Sequence, residues 1–162
     1  MDTNSLVEQN ADREIVISRS FDAPRELVWQ VWTDPKHIIQ CWGPQGFHNE
    51  SCSTELRVGG NFRLEMRAPD GNVYACIGTF REIVEYERIV YEGEAAEGHP
   101  CGAGIPPRAT VTVRFAELQG KTRLTLHTRF ASATRKQAAA GARFIVSWEE
   151  ALERLDDLIT HA

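Results

Sequence analysis

Arg19 is the charged residue whose position most suggests a chemical role. It lies in the β-branched run 14–20 (EIVISRS) and shares the alternation of Ile17, so its side chain is expected on the apolar side of a strand. A guanidinium there would anchor a ligand carboxylate or phenolate. Two other readings stay open: a salt bridge with an acid such as Glu65, or a strand-edge position that reaches solvent. Tyr74 is a second candidate, as a hydroxyl facing the same interior.

The sequence shows no arrangement typical of covalent catalysis or metal binding. It lacks a Gly-x-Ser-x-Gly elbow, a glycine-rich phosphate loop and a paired histidine–carboxylate motif on one element. His37 with Cys41 and His99 with Cys101 are two loose pairs, whereas a zinc site needs three or four ligands. We therefore predict no catalytic residue, metal or cofactor. Any chemistry would be general acid–base catalysis in an apolar pocket, where desolvation shifts pKa values.

Length and composition describe one acidic domain. The chain has 162 residues, 42% hydrophobic and 25% charged, with a formal net charge of −5. Its four cysteines form no CxxC pair and are predicted to be reduced. The lack of a Lys/Arg cluster argues against nucleic acid as a partner, and the short apolar runs argue against membrane insertion. We expect a cytoplasmic protein with a disordered or frayed segment 1–12 and a single domain over 13–162.

Arg19 lies in the first predicted strand, and two short helices are predicted to follow this strand. The strand over 14–20 is followed by Asp-Ala-Pro, a helix-start signal, and then by apolar residues at helical spacing through Trp32. Asp34 and Pro35 repeat the signal for a second short helix, which is predicted to end before Trp42.

The middle of the chain changes to a period of two, which predicts strands with one dry and one wet face, typical of an antiparallel sheet. These strands are predicted at about 47–57, 61–67, 73–84, 87–94, 110–115 and 123–130. The Gly/Pro-rich segment 94–107 is predicted to be a long exposed loop.

The C-terminal segment predicts a long amphipathic helix. Thr134 and Gln137 fit a capping box, and an apolar stripe runs from Phe144 to Ile159. This helix is the only predicted element long enough to cover the dry face of the sheet. The predicted fold class is α+β: a curved antiparallel sheet of about six to seven strands wrapped around the long C-terminal helix, with two short helices after the first strand.

Several ordered motifs over roughly residues 13–160 resemble the activator-of-heat-shock-protein-90-ATPase-homologue-like family, within the START-like polyketide cyclase (SRPBCC) superfamily. The motifs are Phe21-Asp22-Ala23-Pro24, Val28-Trp29, Val31-Trp32, Thr33-Asp34-Pro35, Trp42-Gly43-Pro44, Val58-Gly59-Gly60, Phe62-Arg63, Pro69-Asp70-Gly71 and Gly78-Thr79-Phe80. The resemblance implies a helix-grip fold with a hydrophobic cavity between the sheet and the C-terminal helix.

The residues expected to line that cavity are the apolar side chains of the dry face and the last helix, together with the two polar candidates. They are Arg19, Trp32, Trp42, Phe62, Leu64, Met66, Tyr74, Phe80, Val113, Phe115, Leu126, Phe144, Trp148 and Leu152. For each aromatic residue, ordinary core packing is the alternative, because large rings fill protein interiors with or without a ligand.

The resemblance implies three functions. The first is binding of a hydrophobic small molecule, lipid or polyketide-like, in the internal cavity. The second is a cyclase or dehydratase acting in the same cavity, with Arg19 or Tyr74 orienting an enolate. The third is co-chaperone-like stimulation of a heat-shock-protein ATPase. A homodimer and contact with a chaperone stay open as partners.

Overall fold

A computed structural model describes residues 5–11, 13–43, 46–93, 108–134, 136–137 and 144–160. It confirms the α+β helix-grip fold. The elements, in chain order, are β1 (Ser5–Ala11), β2 (Glu14–Phe21), α1 (Arg25–Thr33), α2 (Pro35–Cys41), β3 (His48–Thr54), β4 (Asn61–Arg67), β5 (Val73–Val84), β6 (Arg88–Gly93), β7 (Thr110–Leu118), β8 (Lys121–Arg129) and α3 (Phe144–Thr160).

The eight strands form one antiparallel sheet in the order β1-β2-β8-β7-β6-β5-β4-β3. The sheet has more strands than the six to seven predicted because β1 adds an edge strand within segment 1–12, which the sequence predicts to be disordered or frayed. Pairing at a sheet edge is made by backbone groups and needs no apolar alternation, so the polar sequence of this segment does not reveal it. The two short helices consequently follow the second strand.

The two short helices differ in how their N-termini are capped. Asp34 caps α2, since its Oδ1 accepts a hydrogen bond from the backbone N–H of Lys36 at 2.9 Å, and Pro35 is the first helical residue. Helix α1 has no side-chain cap. Instead, Pro24 occupies the cap position and its carbonyl accepts from Leu27 and Val28. As predicted, α2 ends before Trp42.

Helix α3 lies across the apolar face of the sheet. Its stripe of Phe144, Trp148, Leu152, Leu155 and Ile159 is buried, which agrees with the predicted amphipathic pattern. At the start predicted at Thr134, residues 133–134 and 136–137 are helical, while residues 135 and 138–143 lie outside the described part of the chain. The predicted loop 94–107, with His99 and Cys101, also lies outside it.

The turn between β3 and β4 depends on two glycines for different reasons. Gly59 has a φ of +83°, in the left-handed region that favours glycine. At Gly60, a Cβ atom would lie 2.1 Å from the carbonyl oxygen of Glu55, so close backbone approach requires the absence of a side chain. The carbonyl of Gly60 accepts from the N–H of Phe80, which ties this turn to β5.

None of the described helices is long and apolar enough to cross a membrane.

Candidate functional site

Three tryptophans meet where α1 and α3 approach the end of α2. Trp32 and Trp148 are nearly parallel, with ring centroids 6.1 Å apart and an interplanar angle of 18°. Trp42 is inclined to both, at 5.0 Å from Trp32 and 5.3 Å from Trp148. Phe62 of β4 packs against Trp42 at 5.2 Å and so extends the cluster onto the sheet. Offset and edge-on contacts of this kind are favourable aromatic geometries.

The indole N–H groups of the cluster are not equivalent. Trp32 Nε1 donates to the hydroxyl of Tyr91 at 3.0 Å, within the core. Burial raises the pKa of Tyr91 far above its usual range, against the lowering effect of that hydrogen bond. Among the described residues, Trp42 Nε1 and Trp148 Nε1 are buried without a hydrogen-bond partner. Each such donor costs about 1–3 kcal/mol relative to a satisfied one.

A small apolar space lies at this junction of the three helices. Its volume is about 10 Å³, which is room for about one water molecule. We call it the helix-junction gap; it is lined by Val31, Trp32, Ile38, Cys41, Trp42, Trp148, Ala151, Leu152 and Leu155. Every lining residue is apolar or a thiol. In this conformation the gap does not have the size of a ligand cavity.

Cys41 is the thiol that borders the gap. Burial raises its pKa to about 12, while the nearby Arg154 guanidinium acts in the opposite direction. Burial also raises the pKa of the half-buried Cys52 to about 11. Both groups are therefore neutral thiols near pH 7, and neither has the lowered pKa of a reactive cysteine.

Two side chains hold the C-terminal end of α2. Asn49 Nδ2 donates to the carbonyls of Ile39 and Trp42, each at 2.9 Å. Arg154 of α3 donates to the carbonyls of Gln40 at 3.1 Å, Trp42 at 3.1 Å and Gly43 at 3.0 Å. The last carbonyls of a helix lack partners within the helix, so these donors satisfy groups that would otherwise need water. Partial burial lowers the pKa of Arg154.

Arg19 points inward, in agreement with its alternation, and belongs to the buried face of β2. Its Nη2 donates to Oδ2 of Asp156 on α3 at 3.1 Å. The acid is therefore Asp156, and the Glu65 considered from the sequence pairs instead with Arg63 among exposed residues. Tyr74 is half-buried and packs against the edge of the core.

The predicted lining residues divide into two groups. Trp32, Trp42, Trp148 and Leu152 border the helix-junction gap. The other apolar ones are buried in the core outside its lining, and their role as ligand contacts stays a prediction: Phe62, Leu64, Met66, Phe80, Val113, Phe115, Leu126 and Phe144.

Five gap residues were not among the predicted set: Val31, Ile38, Cys41, Ala151 and Leu155. Ile38 and Cys41 are three residues apart in α2, and Ala151 is three residues after Trp148 in α3. Helical spacing is the signal that would have placed them on faces directed to the core. In the described part of the chain, no three His, Cys, Asp or Glu side chains are grouped as metal ligands would be.

Comparison with known families identifies the fold's relatives. The family model for "Activator of Hsp90 ATPase homolog 1-like protein" matches residues 22–160. The chain belongs to this family. A comparison with curated proteins gave no match.

Solved structures of similar bacterial proteins cover nearly the whole chain. A crystal structure from Mycobacterium smegmatis has 26% identity and a TM-score of 0.83, covering 96% of this chain and 97% of that one. A solution structure from Arthrobacter aurescens has 26% identity and a TM-score of 0.83, covering 99% of this chain and 94% of that one. A crystal structure from Nitrosomonas europaea, at 21% identity and a TM-score of 0.84, covers 94% of this chain and 97% of that one, and supports the fold alone.

Proposed function

We propose that this protein binds a hydrophobic small molecule, of lipid or polyketide-like type, between its sheet and α3. The observation that carries the proposal is the helix-junction gap, which is lined throughout by apolar side chains and a neutral thiol. Ligand sites in proteins are mostly apolar, with a few placed polar groups. The helix-grip arrangement places this apolar surface where three helices meet.

Ligand entry requires the gap to expand. Its volume of about 10 Å³ must grow to several hundred Å³ to hold a lipid-sized molecule. The gap exposes no polar atom in this conformation, which matches an apolar ligand. The indole N–H groups of Trp42 and Trp148 lack partners among the described residues, and they would meet an oxygen acceptor of the ligand only after the rings move apart.

Helix α2 is the element best suited to move. It has seven residues, fewer than an isolated helix needs for stability, so its position depends on contacts with its neighbours. Three gap residues, Ile38, Cys41 and Trp42, lie on α2 or directly after it. A displacement of α2 would therefore enlarge the gap without breaking the sheet.

The decisive experiment is titration with a fluorescent polyene fatty acid, supported by native mass spectrometry for retained molecules. Ala151→Leu adds volume inside the gap, whereas Ala23→Leu adds the same volume at an equally buried alanine outside it. Overpacking destabilises both variants by about 1–3 kcal/mol. We expect saturable binding to the unchanged protein, weaker binding to Ala151→Leu and unchanged binding to folded Ala23→Leu.

Absence of binding across a thermal-shift screen of fatty acids, sterols and aromatic polyketides, with no retained molecule, would overturn the proposal. Equal weakening by both substitutions would also overturn it, because the effect would then follow from stability alone.

Stimulation of a heat-shock-protein ATPase is the second candidate function, and the description of the matching family favours it. The test is the ATPase rate of a heat-shock-protein-90 chaperone with and without this protein, with a pull-down at low and high salt. A cyclase or dehydratase has no comparable support, because the inward Arg19 is engaged by Asp156.

A further inference from the structure

A second concave site lies where the end of α1, the start of α2, the segment after β3 and the β5–β6 turn meet. This surface groove has a volume of about 500 Å³, within the range of small-molecule sites. Its walls include Trp29, Asp34, His37, Leu56 and Tyr86. It shares no lining residue with the helix-junction gap.

Two aromatic rings form a corner of the groove. The centroids of Trp29 and Tyr86 are 6.0 Å apart, with an interplanar angle of 75°. Tyr86 has a φ of 65°, in the left-handed region, where a residue with a large side chain is strained. Asn or Gly adopts the left-handed conformation at a lower conformational cost, so the backbone at this position does not favour the tyrosine that occupies it. Strained residues of this kind cluster at functional sites.

The charge in the groove comes from one carboxylate. Among the described lining residues, Asp34 is the only carboxylate, none is a lysine or arginine, and His37 is the one histidine. Asp34 Oδ1 accepts from the backbone N–H of Lys36 at 2.9 Å, which fixes the carboxylate in place. Leu56, which is 43% exposed, adds an apolar wall. The groove thus joins aromatic and apolar surface to a fixed negative charge.

We propose that this groove binds a small organic cation with an apolar body, such as an aryl or alkyl ammonium. Tyr86, which is only partly buried, attracts a cation through its ring quadrupole, and the almost fully buried Trp29 packs edge-on against it; quaternary ammonium groups are recognised at aromatic surfaces of this type. Asp34 supplies the opposite charge through Oδ2. The proposal does not depend on hydrophobic ligand binding in the helix-junction gap.

The test is a titration of the full chain with benzyltrimethylammonium, followed by two-dimensional NMR of the backbone amides. The Lys36 amide is the reporter, because it donates to Asp34. Benzoate, of similar size and opposite charge, is the control ligand. We expect saturable shifts at Lys36 with the cation, weaker binding at high salt and no saturable shift with benzoate.

Two variants test the contributions of the carboxylate and of the aromatic ring separately. Asp34→Asn retains a capping oxygen for α2 and removes the charge. Tyr86→Asn removes the ring and suits the left-handed backbone. We expect each to weaken binding of the cation about two- to fivefold, the usual size of exposed ion-pair and cation–π contributions. Tyr86 also packs against the core and Trp29, so the amide spectrum of Tyr86→Asn is used to establish that the variant is folded, and weakening measured on the folded variant does not reflect unfolding.

Asp70→Asn is the matched control. Asp70 Oδ1 also accepts from a backbone N–H two residues ahead, that of Asn72 at 2.9 Å, but it lies outside the groove. Binding of the cation should be unchanged in Asp70→Asn and in Ala151→Leu, which alters only the helix-junction gap. Equal shifts with benzoate, no saturable shift with the cation, or full affinity in both Asp34→Asn and Tyr86→Asn would overturn the proposal.

Discussion

Arg19 of β2 donates from Nη2 to Oδ2 of Asp156 on α3 at 3.1 Å, and this contact joins the sheet to the helix that covers it. The Arg19 side chain is 11% exposed and that of Asp156 is 30% exposed, so the guanidinium depends partly on this carboxylate for compensation of its charge. We expect Asp156→Ala to lower the free energy of unfolding by about 1–3 kcal/mol, measured by urea denaturation.

The control for this substitution is an exposed ion pair. Arg57 and Glu55 lie 3.0 Å apart, with side chains 68% and 50% exposed, and such pairs contribute about 0–1 kcal/mol. Glu55→Ala should therefore change stability little. Equal losses of unfolding free energy in Asp156→Ala and Glu55→Ala would show that the contact between β2 and α3 stabilises the protein no more than an exposed ion pair does.

Two of the three central tryptophans should differ in their response to substitution by phenylalanine. Trp32→Phe and Trp148→Phe remove similar volume from buried positions, but only Trp32 donates to the Tyr91 hydroxyl. Trp32→Phe therefore leaves a buried hydroxyl without its donor, whereas Trp148→Phe removes an N–H that has no partner among the described residues. We expect Trp32→Phe to lose about 1 kcal/mol more stability in urea denaturation. A larger loss in Trp148→Phe would contradict this assignment.

The inward and outward faces of the strands were predictable because strand alternation has a period of two. Ile15, Ile17 and Arg19 occupy one face of β2 as their spacing indicates, and the apolar stripe of α3 is buried. The partner of Arg19 was not predictable. Asp156 is 137 residues away in sequence, and the apolar pattern of a helix does not show which of its residues will lie beside a given residue of a strand.

The candidate site was predictable only in part. Trp32, Trp148 and Leu152 follow from helical spacing and Trp42 from the family resemblance, whereas the volume that their side chains leave depends on how the rings pack, which periodicity does not reveal. The groove at Tyr86 was missed because its walls come from three separate segments of the chain. No pattern along the chain brings Leu56 beside Asp34.

The raised pKa values of two thiols predict a loss of stability in alkali. The pKa of Cys41 rises from 9.0 to about 12 and that of Cys52 from 9.0 to about 11, in each case through burial. A raised pKa in the folded state favours the protonated native protein. The stabilising contribution is therefore complete below pH 9 and falls between pH 9 and 12 for Cys41, because the unfolded chain loses this proton first.

Urea denaturation at pH 8 and pH 10.5 checks this effect. The unchanged protein should lose stability between these pH values, by on the order of 1 kcal/mol per pH unit above 9 from Cys41. Cys41→Ala removes this thiol, so the variant should lose less free energy of unfolding between pH 8 and pH 10.5 than the unchanged protein does. At pH 8 the variant is less stable than the unchanged protein because of the cavity that the substitution leaves. An identical pH dependence in the two proteins would exclude a buried, protonated Cys41.

Arg154 should control the position of α2. Its guanidinium donates to the carbonyls of Gln40, Trp42 and Gly43, and Arg154→Met keeps an apolar stem while removing all three hydrogen bonds. We expect a loss of about 2–3 kcal/mol and faster hydrogen exchange at the Trp42 amide, which donates to the carbonyl of Ile38. Arg154→Lys should recover only part of the loss, since one ammonium group does not reproduce the planar fork.

The same substitution tests whether α2 admits the ligand. If α2 must move to enlarge the helix-junction gap, releasing its C-terminal end raises the association rate of the fluorescent fatty acid. Arg63→Met is the control, because Arg63 is 51% exposed and pairs with Glu65. Its effect on stability, exchange and association should be small. Faster exchange at Trp42 without faster association in Arg154→Met would show that the ligand enters by another route, because α2 would then be free to move without easing access to the gap.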